Sequence, residues 1–177
     1  MLSSPEFSTI MNDLVPCVGC GGMFPYVEGP THRYMESSPG CWAAFGDVLA
    51  REYSDPQYFE IHRLTVDTFA VQHPGQPSPQ SIKSVGYHLV RLCLMLERGL
   101  KMEQANDEML AITKTKENFT WLTPPTSLGA LTVADVFQAA NADEHKRLVR
   151  AWAASAWEAW SPHHAVIHGW LPTLKVG

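Results

Sequence analysis

Three proline-marked positions, Ser38-Pro39, Asp55-Pro56 and Ser78-Pro79, punctuate the middle of this 177-residue chain and constrain its fold more than any other feature. A serine able to cap a helix, followed by proline at the first helical position, fits a helix start. Behind Ser38 stand Trp42, Phe45, Val48 and Leu49 at helical spacing in SSPGCWAAFGDVLAREYS. Asp55-Pro56 restarts the pattern, and a second helix runs through PQYFEIHRLTVDTFAVQ. It stops at His73-Pro74-Gly75, because proline disfavours helical geometry in the residue before it. The third helix, capped by Ser78, carries Val85, His88, Leu89, Leu92 and Leu96 on one apolar stripe and ends at Gly99.

The stretch from Lys101 to about Leu131 yields no clear element, and NFTWLTPPTSLGALT reads as an extended loop with two prolines. Thr132 then opens a short helix, VADVFQAA, and DEHKRLVRAWAASAWEAW forms a longer one with Asp143 as its cap. Ser161-Pro162 either begins a new helix or kinks the old one. No internal repeat and no alternating strand pattern emerges. The expectation is an all-α bundle of four to six helices with an irregular, Gly/Pro/Ser-rich N-terminal arm that clasps a metal. Residues 17–177 are expected to form a single helical domain behind a flexible leader over 1–16.

Hydrophobic residues at 45% and charged residues at 18% give a globular composition with a low charge density. A net charge of −5, with no Lys/Arg cluster, argues against nucleic acid or anionic lipid as partners. No signal peptide is evident, and no stretch reaches the roughly 18 apolar residues that span a bilayer. Four cysteines in a chain expected to be cytoplasmic favour thiols or metal ligands over a disulfide framework.

The chemistry centres on CVGCGGMFP, from Cys17 to Pro25. A CxxC turn places two thiolates on one tetrahedral edge, and the following glycines let backbone N–H groups approach the sulfurs. A redox CxxC usually opens a helix after a strand, whereas Gly21-Gly22 and Pro25 oppose a helix here. Metal is therefore the preferred reading, and one CxxC needs two more ligands. Cys93, inside RLCLMLE, reads as a small buried hydrophobe, while Cys41 lies at a helix start where the dipole favours a thiolate. His62, Val66, Phe69 and His73 share one helix face. His73 ends its helix, where it can reach a neighbouring loop or bond free carbonyls. His88 sits on a core stripe, and His32 and His145 carry no special claim. His164 and His168, four apart, can grip one ion together.

The phrases CVGCGG, GCWAAF, EYSDPQYFEIHRLTVDTFAVQHPG, SVGYHLVRLCLMLERG and WAASAWEAWSPHH resemble a bacterial domain-of-unknown-function family of short helical proteins. The resemblance runs from about Cys17 to Trp170, and VDTFAVQHPG is its most specific phrase. It implies Cys17, Cys20, Asp67, Gln72, His73, His88 and His164 as family-typical positions, which favours His73 with His164 over the His164/His168 pair. A fainter similarity is to DinB-like metal-binding helix bundles, which would join His62 or His73 to His164 and His168. The CxxC is foreign to that pattern.

Together these readings predict zinc held by Cys17, Cys20, His73 and His164, with Cys41, His62, His88 and His168 as possible replacements. The ion would pin the arm to the helices, and the domain would serve as a binding or accessory module for a small molecule or protein. The alternative is a zinc-dependent hydrolase or thiol transferase with an open coordination position and Asp67 or His88 as base or orienter. No HExxH motif supports it. A CxxC redox switch is the third reading. Asp67 can orient a histidine, and the tryptophans read as core.

Overall fold

In a computed structural model, which describes residues 13–112 and 119–171, the three proline-marked starts do open helices. Ser38 accepts from the Cys41 N–H and begins α1 (Pro39–Ser54), Asp55 accepts from Gln57 N–H and begins α2 (Pro56–Phe59), and Ser78 accepts from Ser81 N–H and begins α4 (Pro79–Leu92). The expected second helix is broken. Glu60 and Ile61 form a turn, with Ile61 at φ −101°, ψ −4° and its side chain buried, and α3 (His62–Gln72) starts after it.

The α4 stripe continues through a π-helical turn over Cys93–Glu97 and ends before Gly99, whose φ of +65° suits glycine. Next comes α5 (Met102–Ile112), which the sequence left unassigned. It buries only Ala105, Met109 and Ile112, so its apolar stripe is one residue wide and hard to see. After the extended 119–131 loop, Thr132 and Asp135 form a capping box at α6 (Val133–Phe137). Asn141, not Asp143, caps α7 (Ala142–Ala159) by accepting from Glu144 N–H at 3.0 Å. Ser161-Pro162 starts neither a long helix nor a simple kink: a 3₁₀ turn over Ser161–His163 redirects the chain into α8 (His164–Gly169).

Among the described residues the architecture is all-α apart from one antiparallel hairpin of β1 (Leu14–Pro16) and β2 (Met23–Pro25), with Val15 opposite Phe24. Three-residue strands are too short to show alternation. Of the leader expected over 1–16, residues 1–12 lie outside the described residues and Leu14–Pro16 are β1.

Helix α3 is the central element. It packs on α1, α4 and α7 and buries all but two of its residues, Arg63 and Val66. Gln72, fully buried, donates to the carbonyls of Leu128 and Leu131 and accepts from Trp152 Nε1, each at 2.8 Å. Trp160 Nε1 donates to Val71 O. These bonds satisfy polar groups that burial would otherwise penalise, and they hold the 128–131 loop and α7 against the end of α3. Trp152 and Trp160 are core, as expected. No helix among the described residues is long and apolar enough to cross a membrane.

Candidate metal centre

The hairpin tip shapes the CxxC. Cys17 N–H donates to Gly22 O at 2.8 Å and Gly21 N–H donates to Cys17 O at 2.9 Å, closing a loop that turns at Gly21 with φ +73°. Gly19 faces the helices so closely that a Cβ there would lie 2.3 Å from Glu36 O and 2.4 Å from His73 Cδ2. Only glycine lets the loop backbone seat against the imidazole.

Two helix ends meet that loop. At the start of α1, Cys41 is fully buried, and Ser38 N–H donates to Cys17 Sγ at 3.3 Å. Gly40 allows the close approach, since a Cβ there would meet Pro25 O at 2.3 Å. At the end of α3, His73 Nδ1 lies 2.7 Å from Phe69 O. A carbonyl only accepts, so Nδ1 carries the proton and Nε2 presents its lone pair. That nitrogen faces Cys41 Sγ at 3.4 Å and Cys17 Sγ at 3.5 Å.

Cys20 Sγ lies 3.9 Å from Cys41 Sγ, far beyond a disulfide bond of about 2.05 Å. The four ligand atoms of Cys17, Cys20, Cys41 and His73 all lie within 4.8 Å of one another, and all four residues are buried. They can hold a metal ion. Without a cation the thiols compete. Hydrogen bonds from Cys20 and Cys41 hold the Cys17 thiol far below its ordinary range. Donation to Cys17 helps push Cys20 up to about 12 and Cys41 higher still, with burial adding to both. One thiolate is stable alone; three together need a positive charge at their centre.

The site forms one wall of a cleft of about 680 Å³. Cys17 to Gly21 line one side, the Pro74–Pro77 turn and the loop from Trp121 to Leu128 the others.

Cys17, Cys20 and His73 thus come together, and Cys41 is the fourth member of their cluster. His164 stands elsewhere, on α8. Its ring stacks on Trp157 at 3.9 Å, its Nε2–H donates to Trp157 O, and its Nδ1 lies 3.7 Å from Glu97. The 3₁₀ turn after α7 directs it there. His168 meets Glu97 as well, at 2.6 Å. His62 bonds Glu52, and His88 bonds Asp67 at 2.7 Å, so Asp67 orients a histidine outside the thiol cluster.

The residues missed by sequence reasoning are Glu52 and His145. Both are fully buried: the Glu52 carboxylate accepts from His62 Nδ1, His145 Nε2 and Thr65 Oγ1. The available signal was Glu52 itself, a charge standing four residues after Val48 and seven after Phe45 on an apolar stripe.

Among known families, the model of a family of unknown function (DUF5946) matches residues 15–161. No curated protein and no solved structure matches the chain.

Proposed function

The chain belongs to that family of unknown function, and from this premise we propose that it is a zinc-binding helical protein whose ion is structural. Cys17, Cys20, Cys41 and His73 are the ligands, and the domain serves as a binding or accessory module. The observation that carries the reading is the buried convergence of three thiols and one tautomerically fixed imidazole. Zn–S and Zn–N bonds of about 2.3 and 2.05 Å set tetrahedral S···S and S···N edges of about 3.8 and 3.6 Å. The separations here, 3.9 Å for Cys20–Cys41 and 3.4 and 3.5 Å for His73 to Cys41 and Cys17, fit those edges.

A soft, tetrahedral S₃N set favours zinc over harder ions. Four protein donors also complete its shell, which supports a structural role over a hydrolase or thiol transferase needing an open position. The three ligand-bearing segments are the hairpin, the start of α1 and the end of α3, so one ion fastens an otherwise irregular arm to the bundle. The adjacent cleft, walled by Glu36, Gln76, Trp121 and the polar Thr126-Ser127 pair, is the natural place for a small molecule or peptide to dock. Persistent thiols and a thiolate-held ion fit the cytoplasm.

The test is made on protein purified without an affinity tag or added zinc, with thiols counted before and after chelation. Cys17, Cys20 and Cys41 should resist alkylation until zinc is removed. Cys41→Ser should lose that protection and lower the melting temperature, whereas His164→Gln should keep both. Thiols that react without chelation in the wild-type protein, with Cys17 and Cys20 cycling through a disulfide, would replace this reading with a redox pair.

A further inference from the structure

A second group of metal-ligating side chains lies at the other end of α4, and nothing in the thiol cluster uses it. The π turn that ends α4 carries Cys93 and Glu97, and α8 carries His164 and His168. One ligand atom from each of Cys93, Glu97 and His168 lies within 4.8 Å of the others. Cys93 Sγ donates to Glu97 Oε2 at 3.4 Å and His168 Nε2 approaches the same oxygen at 2.6 Å. The other oxygen, Oε1, accepts from Trp157 Nε1 at 3.1 Å.

His164 strengthens the pattern. Its Nε2–H is committed to Trp157 O at 3.0 Å, so Nδ1 carries the lone pair and points to Glu97 Oε1 at 3.7 Å. This is the device seen at His73, where a backbone carbonyl fixes the tautomer and leaves the opposite nitrogen bare. Such fixing is what metal-ligating histidines need. An ordinary surface ion pair would require Glu97 and His168 alone. Here a buried thiol, a second imidazole with its lone pair turned inward, and an indole N–H all converge on one carboxylate.

We propose that Cys93, Glu97 and His168 form a second site, for a divalent transition-metal ion of the zinc class, with His164 Nδ1 standing beside Glu97. The ion displaces to solvent both the proton between His168 Nε2 and Glu97 and the thiol proton that Cys93 Sγ donates to Glu97 Oε2. The 2.6 Å contact opens to a ligand–ligand edge of about 3.3 Å. Movement of His168, 45% exposed near the end of α8, accommodates it. Trp157 Nε1 holds the carboxylate in place. The exposed side of Glu97 and His168 gives the ion a route in and leaves room for a water or an exogenous ligand. The mixed N/O/S donor set suits zinc or cobalt and not calcium or magnesium. This site is independent of the zinc assigned to the thiol cluster.

Equilibrium dialysis of the untagged protein against zinc, followed by zinc and thiol measurement, tests it. The wild-type protein should hold about one zinc more per chain than either His168→Gln or Glu97→Gln. Protection of Cys17, Cys20 and Cys41 from alkylation should be unchanged in both variants. His163→Gln, whose Nε2 bonds Thr123 O away from Glu97, is the control and should retain the extra ion. Equal zinc content in the wild-type and His168→Gln proteins overturns the proposal, whatever the thiol cluster holds. His168 is exposed enough for that variant to fold even if Glu97→Gln does not.

Discussion

At the scale of single residues, the thiol cluster depends on two that contribute no sulfur to it. His73 is set by Phe69 O, which decides which ring nitrogen meets the thiols. Its ring also stacks on Phe69 at 4.0 Å, so rotation is blocked from the side as well. Gly19 then lets the knuckle backbone press on that ring. Alanine at this position would drive a Cβ into Glu36 O and His73 Cδ2 together, and the backbone carbonyl cannot swing aside like a flexible side chain. Gly19→Ala is therefore expected to cost about 1–3 kcal/mol, the usual range for overpacking, and to expose the cluster thiols to alkylation. Gly21→Ala strains only the turn, where open space surrounds the new methyl. Denaturant melts of the two variants, read beside thiol protection, check this. Full protection in Gly19→Ala would mean the knuckle is not seated against His73 as described.

At the scale of elements, α1 and α3 carry matched stripes. Cys41, Phe45, Val48 and Glu52 are spaced four, three and four; so are His62, Val66, Phe69 and His73. The helices run antiparallel, so Cys41 meets His73 at one end and Glu52 meets His62 at the other. Phe45 stacks on Phe69 between them at 3.8 Å. The second polar end extends to α7, because His145 also donates to Glu52, and Tyr53 Oη backs His62 Nε2 at 3.0 Å. Glu52→Ala leaves three donors facing a cavity, and a loss of about 3–5 kcal/mol is expected by analogy with broken buried ion pairs. Urea unfolding measures it; a loss below about 1 kcal/mol would show that water satisfies those donors. The starts of α1, α2, α4 and α6 were legible because serine, aspartate, threonine and proline act locally, whereas the Asn141 cap of α7 was misplaced on Asp143. The stripe on α3 was legible as well. What the sequence did not carry was which stripe faces which, since pairing is a tertiary choice. Cys41 was therefore visible as a candidate, yet its place beside His73 required knowing how α1 lies on α3. His164 illustrates the converse: its spacing from His168 was plain, but the 3₁₀ turn at Ser161–His163 sets its direction and leaves no strong local mark.

At the scale of the whole molecule, the thiol cluster and the helix core are held by separable interactions. Outside the cluster, α3 is fixed by the Gln72 and Trp160 bonds, the Phe45–Phe69 stack and the Glu52 network. The hairpin has a weaker hold: Phe24 is buried, but Leu14, Met23 and Tyr26 are exposed, and residues 26–31 are exposed throughout. With zinc as the proposed clasp, its removal at neutral pH should release the arm and leave most of the helices standing. Chelation should be easier as pH falls, because protons compete for the sulfurs and Cys20 and Cys41 hold theirs tightly without a cation. Limited proteolysis with a chelator should open cleavage between residues 26 and 37 while the far-UV helical signal changes little. Readding zinc should restore resistance. Collapse of the helical signal on chelation would instead make the ion a requirement for the whole fold. Cleavage that is equally fast with zinc bound would show that the arm is not fastened by the cluster, and would leave the buried Phe24 as its main anchor.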